Sequence, residues 1–169
     1  MLNLTEHLPR LRRYARALTG DRHTADDLVQ DTVERALNKA ALWRPGSRLD
    51  AWLTTLMHNI FVNQVRGSAG HQQSTTDSLD TLATEPSARA TQADDLEVRD
   101  IHAALKLLSA EQREVLLLVS LEEYSYEETA RILDIPVGTV MSRLSRARDR
   151  MRQLIDGATL KNPPMKVVK

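Results

Sequence analysis

Ser125-Tyr126-Glu127-Glu128-Thr129-Ala130-Arg131-Ile132-Leu133-Asp134-Ile135-Pro136-Val137-Gly138-Thr139-Val140-Met141-Ser142-Arg143-Leu144-Ser145-Arg146-Ala147-Arg148-Asp149-Arg150-Met151-Arg152 decides how this chain is read. Ser125 and Glu128 have capping-box spacing, which predicts a helix start. Asp134-Ile135-Pro136 ends that helix, because the residue before a proline is pushed out of helical geometry. Pro136 then suits the first turn of a second helix, where no backbone donor is needed. In that second helix Val140, Leu144, Ala147 and Met151 recur on one face. Thr139, Ser142, Arg143, Arg146 and Arg150 fall on the other. The pattern predicts a helix-turn-helix with a basic outer face, whose hydroxyls and guanidiniums are the groups that contact phosphates and guanine edges in a major groove. A solvated basic face would share the composition. The order of capping box, turn proline and basic second helix favours DNA.

Working outward, charge is unevenly spread over the 169 residues, although the formal net charge is zero. Residues 135–169 carry eight basic and two acidic side chains, while residues 111–134 carry two basic and seven acidic. Arginine far outnumbers lysine, which suits bidentate contact with phosphate or guanine. The chain has no cysteine, so disulfides, thiol catalysis and cysteine-ligated zinc are excluded. No apolar run predicts a signal peptide or a membrane span, and the expected location is the cytoplasm.

The chain up to residue 66 is helical by pattern. Leu8, Leu11, Ala15 and Leu18 mark a first helix that Thr19-Gly20 should end. Thr24 can cap a second, with Asp26 and Asp27 favourable in its first turn. Its apolar set is Ala25, Leu28, Val29, Thr32, Val33, Ala36 and Leu37. After a loop at Trp43-Arg44-Pro45-Gly46-Ser47, a third helix is expected from Asp50 to Arg66, with Trp52, Leu53, Leu56, Met57, Ile60 and Phe61 on its apolar face. Residues 67–95 are rich in Gly, Ser, Thr, Gln, Ala and Asp, a composition that buries too little surface to offset ordering entropy. They are expected to form a flexible acidic linker. Residues 96–156 read as four short helices. The first carries Ile101, Leu105 and Leu108 in step, and Ser109 with Gln112 offers a second capping box. Residues 157–169 are expected to be a disordered basic tail. The fold class is therefore all-α: two small helical domains joined by a flexible linker, the second containing the helix-turn-helix.

Catalytic constellations are lacking. His7, His23, His58, His71 and His102 include no pair at i, i+3 or i+4 spacing, and no serine has a plausible base beside it. No enzyme, cofactor, metal or small-molecule substrate is expected. Two polar groupings stand out. Asp27, Gln30, Asp31 and Glu34 form an acidic stripe at i, i+3, i+4, i+7, either a solvated face or a dock for a basic partner. Asn59, Asn63 and Arg66 share a face of the third helix, near the loop residues Trp43 and Arg48. Asn reads base edges, Arg holds phosphates, and a loop aromatic can stack on an unpaired base or pack beneath the bundle.

Three motifs in order resemble bacterial sigma factors of the extracytoplasmic-function (ECF) group. Ala25-Asp26-Asp27-Leu28-Val29-Gln30-Asp31-Thr32 is similar to the family's core-polymerase-binding helix. Ala51-Trp52-Leu53 with His58-Asn59-Ile60 is similar to its promoter-melting helix. Ser125 to Ala130 and Pro136 to Arg143 are similar to its helix-turn-helix. The resemblance implies that residues 1–66 are sigma region 2 and residues 96–156 sigma region 4. It implies that Asp27, Gln30, Asp31 and Glu34 bind the clamp helices of core RNA polymerase. Trp43, Arg44, Ser47, Arg48, Asn59, Asn63 and Arg66 would contact the melted −10 element. Gly138, Thr139, Ser142, Arg143 and Arg146 would contact the duplex −35 element. Many family members carry an acidic residue where Asn63 stands and a basic one where Met141 stands. The implied partners are core RNA polymerase, promoter DNA and an anti-sigma factor, in a stress response, with no direct membrane insertion. The alternative is a sigma-like decoy that binds an anti-sigma factor without driving transcription. Arg143, Arg146, Arg148, Arg150 and Asn59 would serve no purpose in a decoy.

Overall fold

The structure is a computed structural model that describes residues 2–69 and 92–161. Seven α-helices and two short 3-10 turns, with no strand among the described residues, follow one another: α1 Leu8–Thr19, α2 Arg22–Asn38, α3 Leu49–Ala69, α4 Gln92–Lys106, α5 Ala110–Ser120, α6 Tyr126–Leu133 and α7 Val137–Lys161. The all-α expectation holds.

Helix α1 has a proline in its first turn and ends at Gly20, whose φ of 72° is left-handed. An added Cβ at Gly20 would lie 2.6 Å from the flexible Lys106 side chain, which can shift, so it is the left-handed backbone that requires glycine. Helix α2 starts earlier than expected. Its cap is Asp21, which accepts from the Thr24 N–H at 2.8 Å and the Thr24 hydroxyl at 2.7 Å. Thr24 therefore sits inside the first turn. A carboxylate is the stronger acceptor against the helix dipole, and these two hydrogen bonds hold the Asp21 carboxyl below its usual range.

Both halves bury the expected stripes. Leu11, Ala15, Leu18, Leu28, Leu53, Met57 and Ile60 are enclosed in the first, and Leu105, Leu108, Val115, Val140, Leu144 and Ala147 in the second. Two expected core positions are not: Leu37 is 59% exposed and Ile101 44% exposed. Each stands at the margin of its stripe among the described residues. Ser109 caps α5 by accepting from the Gln112 N–H at 3.2 Å. The Ser125–Glu128 capping box is complete in both directions, and Asp134 closes α6 in the left-handed region at φ 53°.

The two halves are not independent pieces hanging on a tether. Helix α3 packs on α6, and α1 packs on α4 and α5, so buried residues of both halves join one apolar cluster. The expected linker is helical at both ends, since α3 runs to Ala69 and α4 begins at Gln92; its centre lies outside the described residues. The first residues of the expected disordered tail are helical, because α7 continues to Lys161; residues 162–169 lie outside the described residues. A single glycine costs a helix only about 1 kcal/mol, which the flanking turns absorb.

Candidate nucleic-acid interface

The acidic stripe is presented as expected. Asp27, Gln30, Asp31 and Glu34 are all exposed on α2. His23 sits 3.3 Å from Asp27, and Gln64 of α3 donates to Asp31 at 3.4 Å. Beside the stripe runs a groove of about 780 Å³ between α1 and α2, with Leu8, Val29, Val33 and Leu37 alternating with Arg12, Arg16, Gln30 and Glu34. The exposed Leu37 is part of this groove. A partner docking on the stripe would therefore meet apolar surface as well as charge.

The loop before α3 is a tight turn. Ser47 closes it by donating both its N–H, at 3.1 Å, and its hydroxyl, at 2.7 Å, to the Arg44 carbonyl, while Gly46 supplies a φ of 90°. Arg44 is exposed. Trp43 is half-buried, and its indole nitrogen is enclosed without a hydrogen-bond partner among the described residues. The packing alternative for this aromatic is thus the closer description. Arg48 lies 2.6 Å from Asp50, contacts Glu128 of α6, and stands over the Tyr124 ring at 5.3 Å.

Asn59, Asn63 and Arg66 line a groove of about 600 Å³ whose opposite wall is Glu111, Glu114, Ile135 and Arg143. Residues expected to serve two different promoter elements thus face one space. On α7 the buried Val140, Leu144 and Ala147 seat the helix, leaving Gly138, Ser142 and Arg146 exposed and Thr139 and Arg143 half-buried. Arg143 pairs with Glu111 at 3.3 Å. Met141 is 52% exposed beside the basic positions. The chemistry is that of a surface, with hydroxyls and guanidiniums on a seated helix. Among the described residues no cluster of three or more His, Cys, Asp or Glu could hold a metal ion.

A polar seam between the halves was not read from the sequence. Arg10 of α1 is its hub: Nε donates to the Glu122 carboxylate, Nη2 to the Glu122 carbonyl at 2.8 Å and Nη1 to Asp50 at 2.9 Å. Tyr124 donates its hydroxyl to Asp50 at 3.2 Å and shares a 3.1 Å hydrogen bond with Thr54. His58 of α3 meets Glu114 of α5. Burial works against ionisation of Asp50, but hydrogen bonds from Arg48 and the Ala51 N–H, with the charges of Arg48 and Arg10, outweigh it and hold the carboxyl at about 2. Burial pushes the Tyr124 hydroxyl up, so it remains a donor. These contacts join residues far apart in sequence, and no local spacing announces them.

One helical unit presents an exposed acidic stripe on α2, and the other a helix-turn-helix whose second helix carries a basic outer face. Residues 4–58 match the family described as the Sigma2 domain of PhyR, and residues 99–151 match Sigma-70, region 4. The chain is 40% identical to the ECF RNA polymerase sigma factor EcfG of Rhodopseudomonas palustris, over 89% of this chain and 83% of that one. It is 31% identical to the ECF RNA polymerase sigma factor SigE of Mycolicibacterium smegmatis, over 89% of this chain and 59% of that one. The sigma factor RpoE in complex with the anti-sigma factor NepR from Bartonella quintana is 37% identical, with a TM-score of 0.77, covering 90% of this chain and 94% of that chain. The chain belongs to the ECF RNA polymerase sigma factors.

Proposed function

We propose that this chain binds core RNA polymerase through Asp27, Gln30, Asp31 and Glu34 and directs it to promoters. Arg44, Ser47, Arg48, Asn59, Asn63 and Arg66, with Trp43 supporting the loop from beneath, contact the melted −10 strand. Gly138, Thr139, Ser142, Arg143 and Arg146 contact the −35 duplex. Polymerase performs the chemistry, and the chain acts in the cytoplasm as an initiation factor. The observation that carries this reading is α7: Val140, Leu144 and Ala147 of its apolar face are buried and its opposite face offers Ser142 and Arg146 to solvent. That is the geometry of a recognition helix.

An anti-sigma factor is the expected restraint, in keeping with the similar RpoE captured with NepR. The decoy alternative gains some support from the match of residues 4–58 to the Sigma2 domain of PhyR. Likeness over most of the chain to a sigma factor, together with the basic recognition helix, favours initiation.

Run-off transcription from a genomic promoter library, with purified core polymerase and this chain, tests the reading. New transcripts sharing two spaced upstream elements are expected. Tight binding to an anti-sigma factor with neither transcripts nor core binding would establish the decoy instead.

A further inference from the structure

Between Val137 and Arg152 the exposed residues of α7 are glycine, serine, arginine and aspartate, with one exception: Met141, which is 52% exposed. Resting on the promoter reading above, we infer that Met141 reads a thymine of the −35 duplex. Its thioether packs on the C5-methyl group, while Arg148 holds a phosphate of the same strand.

Helical period sets Gly138, Ser142 and Ser145 on the line farthest from the buried Val140, Leu144 and Ala147. All three are small, so the helix can lie deep in a major groove. A Cβ added at Gly138 would meet nothing within 4 Å, so the fold itself does not require glycine there; the space is left open to an outside surface. Thr139 and Arg143 flank this line on one side, and Met141 flanks it on the other. The two flanks therefore meet opposite walls of the groove with different chemistry. A hydroxyl and a guanidinium suit phosphate and guanine, and a thioether suits neither. On the major-groove edges of the bases the apolar group is the thymine methyl. Methionine is unbranched and polarizable, and it adapts to such a contact.

A lone exposed apolar side chain is ordinary on most helices. This one has a setting. Met141 shares a hollow of about 250 Å³ with Tyr126, Ser145 and Arg148. Asp149 and Arg152 also line it, and they pair with each other at 3.2 Å. Arg152 is thus already engaged by a carboxylate, which leaves the phosphate to Arg148. An apolar tip beside an aromatic ring, with a guanidinium farther along the same side of the helix, matches a thymidine. The methyl group and the backbone phosphate of that nucleotide both border the major groove on its own strand's side.

The test remakes the upstream element found by run-off transcription as a short labelled duplex. Each thymine on either strand is replaced in turn by uracil, which lacks only the methyl group. Binding by core polymerase carrying this chain is read by fluorescence anisotropy. With the wild-type chain, uracil at one thymine is expected to weaken binding about fourfold, the worth of one buried methyl group. Met141→Ala is expected to bind the thymine and uracil duplexes equally. Met141→Leu, which keeps an apolar tip, is expected to restore the difference. Arg148→Ala is expected to weaken both duplexes alike and leave the difference intact. An upstream element without a thymine on either strand, no thymine at which uracil weakens binding, or a uracil effect that persists in Met141→Ala overturns the role of Met141 alone, since transcription stands without it. Absence of transcripts, or transcripts that share no upstream element, overturns the promoter reading and this inference with it.

Discussion

Arg113 of α5 donates Nη1 to the Leu18 carbonyl at 2.7 Å, joining the last turn of α1 to the second half of the chain. The same guanidinium bonds the carbonyls of Leu105 at 2.7 Å, Lys106 at 3.1 Å and Leu108 at 3.0 Å, at the end of α4. One side chain thus satisfies the terminal carbonyls of two helices. Its burial pulls its proton affinity down, though far too little to discharge it. Arg113→Ala is expected to lower stability by roughly 2–3 kcal/mol, since charged hydrogen bonds are lost and buried carbonyls left bare. Urea denaturation measures this; a loss under about 0.5 kcal/mol would show that water replaces the guanidinium.

Ser125→Ala removes the side chain that accepts from the Glu128 N–H at 3.1 Å. Thermal unfolding should register a loss of about 1 kcal/mol. Glu128→Gln should retain most of the cap, and equal losses from the two substitutions would contradict the capping account.

Arg146 is exposed on the outer face of α7. If it reads a base, Arg146→Ala should weaken binding to a −35 duplex by roughly 1–3 kcal/mol and relax specificity at one position. A change of a few tenths measured by anisotropy would remove Arg146 from the contact set. Arg143 is paired with Glu111 at 3.3 Å, so its loss should weaken binding less.

Asp31→Arg reverses a charge on an exposed stripe, at a residue that accepts from Gln64 at 3.4 Å. Circular dichroism should be unchanged, while affinity for core polymerase falls at least about tenfold, or 1.4 kcal/mol. Unaltered affinity would make the stripe ordinary surface.

Acid should loosen the seam through Asp50. Its carboxyl titrates at about 2 in the folded chain, against roughly 3.9 when unfolded. A depressed value means that the stabilisation is complete above about pH 4 and is lost as pH falls toward 2. Stability measured from pH 5 to 2 should therefore decline more steeply in wild type than in Asp50→Asn. Parallel declines would show that Asp50 contributes nothing to acid sensitivity.

What the sequence discloses here is local. The capping box at Ser125, the stop at Asp134-Ile135-Pro136 and the left-handed glycine at position 20 depend on neighbours within four residues, and all three stand in the structure. The apolar stripe of α7 follows from helical period alone. Ile101 has the right period but is 44% exposed among the described residues, and period says nothing about neighbours. Thr24 and Asp21 are both capping residue types, and relative acceptor strength decided between them. The seam was illegible for a different reason. Arg10 and Glu122 are 112 positions apart, and Arg48 and Glu128 are 80 apart. A charged residue reads as solvated surface until the fold supplies its partner. The residues proposed for the DNA surface were named by motif, but the motif did not indicate that Asn59 and Arg143 would share one groove.

Glu128 completes the cap of α6 with one oxygen, which accepts from the Ser125 N–H at 2.9 Å, and grips Arg48 with the other. Helix integrity and interdomain grip are consequently bound to a single side chain, and most replacements there must change both together. Glu122 carries no such double duty at a helix start. Sequence drift that adjusts how readily the halves part thus has a free path through Glu122, Arg10 and Arg13, and a narrow one, glutamine, at Glu128.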